Sequence, residues 1–379
     1  MRLLIENALI FKDDGSFSRG SLACADGKIL PDTAGEFDKV IDAGGAYLIP
    51  GLVDIHTHGR AGYDFLAASH DDLKTMAADY LKTGVTTVVP TFASAPFNDF
   101  LEAADRINAV RDNPGARFIG FHLEGRYLNP SRRGVHPTDL LANPSVPELE
   151  VLFSHTGLPL HITYAPELDA DGSFIARARE LGATVAAGHT AMTYEQAREA
   201  EARGVCAYSH LYNAMPQLHH RAGGAVAAAL TGGAFCELIC DGMHISPEMV
   251  KLAYVCTGCG RLVLVTDSLE AAGCPDGPYT IAGVPVTVKD GRALTSDGTL
   301  AGSTLNLFDG VRNLMRFTGA TFGEAVRCAT VNPAKTVGIF DLVGSLEPGK
   351  YADTLLVRES GGNFTLEGVI RGGIISHQQ

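Results

Sequence analysis

Eight short apolar runs recur along the first two-thirds of the chain, near 52–56, 85–91, 117–123, 159–165, 183–187, 205–209, 235–240 and 261–266. Each is short enough for a buried strand, and stretches of helical periodicity separate most of them. Segments opening at Asp71, Asn98, Thr193 and Ser246 begin with a capping-type residue and continue amphipathically, as helices do. Eight strands alternating with helices predict an α/β fold, a (β/α)8 TIM barrel, over residues 49–343.

The two ends of the chain read differently. Residues 1–48 are short strands broken by Asp13-Asp-Gly and Asp26-Gly-Lys, and residues 344–379 repeat that texture after Gly344-Ser-Leu-Glu-Pro-Gly-Lys350. Both termini together are expected to build one small β-sandwich domain. A Val/Thr-rich stretch near 278–299, with Lys289-Asp-Gly in it, predicts a β-hairpin inserted after the eighth strand.

Most of the barrel runs stop at a residue able to hold a metal. Leu52-Val-Asp-Ile-His56-Thr-His58 ends in His-x-His, and period-2 alternation turns both imidazoles to one side. Glu124, His189, His210 and Asp267 close four later runs in the same way. Catalytic groups of such barrels gather at the C-terminal ends of the strands, where these six residues fall. Imidazole and carboxylate ligands with an open position lower the pKa of bound water to about 7, the basis of metal-assisted hydrolysis. Glu124 is placed to span two ions, and Asp267 to touch a metal and carry a proton. Such donors suit zinc, iron, manganese or cobalt, one or two ions per chain. His122 is expected to pack rather than bind, and Asp54 to orient a ligand or cap a turn.

Composition narrows the partners. A net charge of −13 argues against a nucleic-acid backbone, although a few local cations can still hold a small anion. No apolar run is long enough to span a membrane, and charge interrupts Met1-Arg-Leu-Leu-Ile-Glu-Asn too early for a signal peptide, so a cytoplasmic location is expected. The eight cysteines lie mostly in apolar strands and are expected to be reduced core thiols. Cys256-Thr-Gly-Cys259 is the one CxxC, with Cys236 and Cys240 the nearby thiols that a structural zinc would need.

Pro50-Gly-Leu-Val-Asp-Ile-His-Thr-His58-Gly resembles the first metal motif of the amidohydrolase superfamily. Together with His122-Leu-Glu-Gly125, Ala187-Gly-His-Thr190, His210-Leu-Tyr-Asn-Ala-Met215, Asp241-Gly-Met-His244, Val265-Thr-Asp267 and Leu300-Ala-Gly-Ser-Thr304, it is similar to the N-acetylglucosamine-6-phosphate deacetylases. The resemblance implies hydrolysis of the acetamide of a phosphorylated amino sugar. Metal ligation falls to Glu124, His189 and His210, with His56 and His58 completing a second site. Asp267 becomes the catalytic acid/base, and His136, beside Val135, a group holding the acetyl carbonyl. Asn213, Ala214, Arg221 and His244, with the backbone of Leu300, Ala301 and Gly302, are implied for the sugar phosphate. A homodimer is implied too, because relatives supply part of the phosphate site across a subunit interface. His219 and His220 are expected to be a solvated pair.

Two departures from that family pattern flank the centre. Arg126-Tyr127 stands where Pro-Phe is common, and Ser268-Leu-Glu270 replaces a small apolar run. Arg126 and Glu270 either pair with each other or reshape recognition of the sugar, which leaves the galactosamine epimer, or another N-acyl compound, as the alternative substrate. A non-catalytic barrel serving as a scaffold would be expected to have lost some of the six ligand-type residues, and all are present.

Overall fold

The computed structural model describes residues 1–378. Its centre is a parallel barrel of strands β1 (Leu52–Thr57), β2 (Val85–Phe92), β3 (Phe121–Glu124), β4 (Leu160–Tyr164), β5 (Thr184–Ala187), β6 (Ala207–Tyr208), β7 (Phe235–Ile239) and β8 (Leu262–Val265), with Arg117–Phe118 a short extra pairing on β2. All eight predicted runs are strands in the predicted order. Every residue of β1, β2, β3 and β4 is buried, because one face fills the barrel and the other lies under the helices.

Barrel closure between β8 and β1 is made by the end of β1 and the residues that follow β8. Thr57 and Ser268 form a parallel bridge, the Asp267 amide donates to His56 O (2.8 Å) and the His58 amide donates to Ser268 O (2.8 Å). The seam therefore runs through the segments that carry His56, His58 and Asp267.

Helices pack outside the barrel. Capping boxes start His70–Lys82 at Ser69/Asp72 and Tyr194–Arg203 at Thr193/Gln196. Thr193 and Ser246 are N-caps as expected, whereas Asp71 and Asn98 fall inside the first turn. The box begins two residues before Asp71, and Pro96, with its φ already fixed, precedes the helix Phe97–Ala109.

The chain ends meet in one eight-stranded sheet. Tyr47–Pro50 runs antiparallel to Thr354–Ser360 and parallel to Arg2–Phe11, which joins the N- and C-terminal strands in one hydrogen-bonded path. Leu3, Ile5, Leu22, Leu48 and Ile370 form its separate core. Where a hairpin is expected near 278–299, the structure has four antiparallel strands beside the barrel mouth: Gly277–Ile281, Val284–Lys289, Arg292–Leu294 and Leu300–Ser303. The last docks on the seam, its Ser303 amide donating to Asp267 O at 2.8 Å. All eight cysteines are free thiols, and no helix among the described residues is long and apolar enough to cross a membrane.

Candidate metal-dependent active site

The six predicted ligand-type residues form one cluster, with the four histidines around the carboxylate of Glu124. His56 Nε2 (3.3 Å), His189 Nε2 (3.1 Å) and His210 Nε2 (2.8 Å) face its Oε1, and His58 Nε2 faces Oε2 at 3.0 Å. Asp267 Oδ1 lies 3.2 Å from His58 Nε2 and 3.6 Å from His56 Nε2. His56 is the next-to-last residue of β1, His58 lies one residue past it and Glu124 ends β3, whereas His189, His210 and Asp267 each sit two residues past their strands with φ of 46°, 29° and 49°. That left-handed backbone is costly for a side chain bearing Cβ and is the kind of strain that collects at functional sites. The turn after Glu124 is tighter still: at Gly125, φ 143°, a Cβ would lie 2.5 Å from the Ser94 amide nitrogen.

Outer partners fix which ring nitrogen faces the centre. Glu237 Oε2 lies 3.2 Å from His56 Nδ1, and the carbonyl of Arg132 lies 2.9 Å from His189 Nδ1. These oxygens accept, so both Nδ1 atoms carry a proton and both Nε2 atoms are the ones left to face the cluster and bind a cation there. His136 is arranged in the opposite sense. The Ser94 amide donates to its Nδ1 (3.3 Å) and Ser94 Oγ lies 2.9 Å away, so the proton sits on Nε2, which points toward Glu124 Oε2 at 3.7 Å. Although Glu124, His136 and His189 bring ligand-type atoms within 4.8 Å of one another, His136 is thereby a hydrogen-bond donor to the cavity rather than a ligand. Burial first, and the neighbouring His189 second, lower its pKa to about 3 and keep it neutral.

The donor set fits a divalent cation. His56, His58, Glu124 and Asp267 bring ligand atoms within 4.8 Å of one another, and buried His56 Nε2 has no hydrogen-bond partner. Burial opposes charge on His58, yet the carboxylates of Asp267 and Glu124 outweigh it and push His58 up to about 9. Glu124 is held well below the usual carboxylate range despite its burial, by His56, His189 and His210. A field of that sign attracts a cation where these atoms meet.

Residues 47–375 match the amidohydrolase family. The chain belongs to that family. This amidohydrolase is 38% identical over 331 residues to the N-acetylglucosamine-6-phosphate deacetylase of Vibrio furnissii, covering 86% of this chain and 82% of the relative. It is 36% identical over 355 residues to the N-acetylgalactosamine-6-phosphate deacetylase of Escherichia coli O157:H7, covering 91% and 92%. A mutant N-acetyl-D-glucosamine-6-phosphate deacetylase of Mycobacterium smegmatis, solved in complex with N-acetyl-D-glucosamine 6-phosphate, superposes with a TM-score of 0.88 at 29% identity over 99% of each chain.

In this amidohydrolase a cavity of about 270 Å³ opens over the cluster. It is lined by His58, Glu124, His189, His210 and Asp267, and by the expected Val135, His136, Asn213, Ala214, His244, Leu300, Ala301 and Gly302. His56 lies behind it, fully buried. His244 Nδ1 is 2.6 Å from Asp241 Oδ2, which leaves Nε2 as the ring's remaining polar atom. Arg221 is the exception: it is exposed beside the exposed His219 and His220 and does not line the cavity.

The two departures do not pair with each other. Arg126 Nη2 lies 3.4 Å from Glu148, which also accepts from Tyr127 Oη (2.7 Å), while Glu270 Oε1 accepts from the amide (2.6 Å) and hydroxyl (2.9 Å) of Thr280. Neither Arg126 nor Glu270 lines the cavity. His122 packs as expected, between Thr91 and Thr163. Asp54 caps the seam, accepting from Thr266 Oγ1 at 2.6 Å and, more weakly, from the His56 amide at 3.4 Å. Sequence reasoning missed Glu237, His161 and Ser94; the one signal available was a lone carboxylate inside the apolar run Phe235-Cys-Glu-Leu-Ile.

Proposed function

We propose that this chain hydrolyses the acetamide of N-acetyl-D-glucosamine 6-phosphate, giving D-glucosamine 6-phosphate and acetate. The observation that carries the reading is that Asp267, a carboxylate acceptor, and His136, a fixed Nε2–H donor, border one cavity over one cluster of metal-type ligands. A divalent ion bound by His56, His58, Glu124, His189, His210 and Asp267 supplies Lewis acidity and lowers the pKa of water to about 7. Zinc, iron, manganese and cobalt all suit these donors, as one ion or two.

His136 donates from Nε2 to the acetyl oxygen, where negative charge develops as water adds to the carbonyl carbon. Asp267 accepts the proton of that water and returns it to the nitrogen, so the C–N bond breaks with a neutral amine leaving. His244 faces the sugar phosphate, with Asn213, Ala214 and the backbone of Leu300 to Gly302 along the sugar. Arg221 lies outside its own cavity, which supports a homodimer in which this guanidinium meets the phosphate bound by the second copy. The reading places the enzyme in the cytoplasm, in amino-sugar catabolism or recycling.

The E. coli relative favours a second reading, N-acetylgalactosamine 6-phosphate as the substrate. Acetate release from both sugar phosphates and from unphosphorylated N-acetylglucosamine, before and after chelation, tests both. Chelator-sensitive turnover requiring the phosphate and favouring the glucosamine epimer supports the first. Preference for the galactosamine epimer transfers the mechanism to the second, and no turnover of any with metal bound removes both.

A further inference from the structure

Glu237 is a fully buried carboxylate in β7, outside the ligand cluster and away from the cavity. Its oxygens face two imidazoles, Oε2 at 3.2 Å from His56 Nδ1 and Oε1 at 3.3 Å from His161 Nε2. His161 Nδ1 lies 2.8 Å from the hydroxyl of Thr184. A carboxylate only accepts, so His56 Nδ1 and His161 Nε2 both carry protons, and the Thr184 hydroxyl donates to His161 Nδ1. His56 is left with Nε2 as its ligand atom, the buried atom without a hydrogen-bond partner that stands between Glu124 Oε1 (3.3 Å) and Asp267 Oδ1 (3.6 Å).

We propose that Glu237, steadied by His161, is the positioning residue of His56, and that it decides whether the chain retains an ion on the His56–His58–Asp267 side of the cluster. His58 has no comparable support, since its buried Nδ1 lacks a hydrogen-bond partner. The opposite side is independent of Glu237, because His189 takes its tautomer from the Arg132 carbonyl. Groups behind a metal-bound imidazole orient the ring and set its basicity, and losing one costs about 10- to 100-fold in metal affinity. Glu237→Gln keeps the shape but offers one acceptor oxygen and one NH2 to two N–H donors, so one of the rings must turn or change tautomer.

The proposal rests on the reading that the cluster holds divalent ions, and the test separates the two. Wild-type protein and Glu237→Gln are dialysed against buffered free Zn2+ and the zinc per chain is measured across the titration. The expected result is an unchanged ion on the Glu124–His189–His210 side and an ion on the His56 side that is lost or bound about 10- to 100-fold more weakly. Equal zinc curves for the two proteins, or parallel loss of both ions, overturn the role of Glu237. Imidazole 15N spectra of zinc-loaded wild type need no variant to fold: they should show His56 protonated at Nδ1, and an unprotonated Nδ1 overturns the proposal. Wild type that retains no zinc removes the metal reading itself.

Discussion

His189 Nε2 and His210 Nε2 stand 3.1 Å apart, and both face the same oxygen of Glu124. His189 Nδ1–H donates to the Arg132 carbonyl, so Nε2 is the His189 atom left to bind a cation in this contact. Two such nitrogens and a carboxylate oxygen this close need a proton or a cation among them. Metal binding must therefore displace protons, and its affinity should rise with pH. His58, pushed up to about 9 by Asp267 and Glu124 against its burial, and His56, raised well above the usual imidazole range by Glu124 and Asp267 against its own burial, hold the protons that resist displacement at neutral pH.

Two measurements follow from that displacement. Calorimetric titration with Zn2+ near pH 7.5, in buffers of different ionisation enthalpy, should show net proton release and tighter binding up to about pH 9. The metal-free chain should behave in the opposite sense. The raised pKa of His58 adds stability that is complete below its ordinary 6.5 and is lost as pH rises through about 9. Zinc at a hundredfold its Kd should restore about 2.7 kcal/mol, seen as a higher unfolding midpoint. Binding without proton release would show that the imidazoles are not the ligands.

Asp267→Asn tests the proton carrier. Position 267 has φ 49°, a region Asn tolerates better than most residues, so the seam bonds to His56 O and from Ser303 should survive. An amide cannot take the proton of the attacking water, and kcat should fall about 10²- to 10⁴-fold. Zinc content measured on the same samples separates loss of the base from loss of a ligand. Near-normal turnover would sink the assignment.

The barrel and the six clustered residues were legible because most of the apolar runs end where a ligand-type residue stands. The positioning groups were not. Glu237 is 181 residues from His56 and Ser94 is 42 from His136, and only closure of the barrel makes them neighbours. In a strand buried on both faces, alternation does not say which face is the barrel interior, so Glu237 reads as an interruption of Phe235-Cys-Glu-Leu-Ile. Nor does periodicity reveal that His189, His210 and Asp267 are turned inward by left-handed backbone. Arg126 and Glu270 stood out by type, yet their partners Glu148 and Thr280 are on elements whose placement depends on the finished fold.

His136→Gln removes a donor whose direction is fixed by Ser94. If the Nε2–H meets the acetyl oxygen only as charge develops, kcat should drop about 10²- to 10³-fold while KM for the sugar phosphate stays within a few-fold. Zinc content should not change, because His136 carries its proton on the inward nitrogen. Loss of metal from this variant would instead make His136 a ligand.

Glu270→Ala addresses a wall of the cavity rather than its chemistry. Glu270 follows Asp267 by three residues and binds the amide and hydroxyl of Thr280, on the strand that leads into the cavity-lining Ile281 and Ala282. Hydrogen bonds to a charged group contribute about 1.5–3 kcal/mol, here spent on ordering an inserted sheet. Without them the sheet must be ordered as substrate binds, and KM for the sugar phosphate should rise about tenfold, the equivalent of about 1.4 kcal/mol. Glu270 itself does not line the cavity over the cluster, so kcat should stay within about threefold. Steady-state kinetics on both epimers read the two constants separately. A collapse of kcat at unchanged KM would mean that Glu270 acts on Asp267 through the seam rather than on the wall.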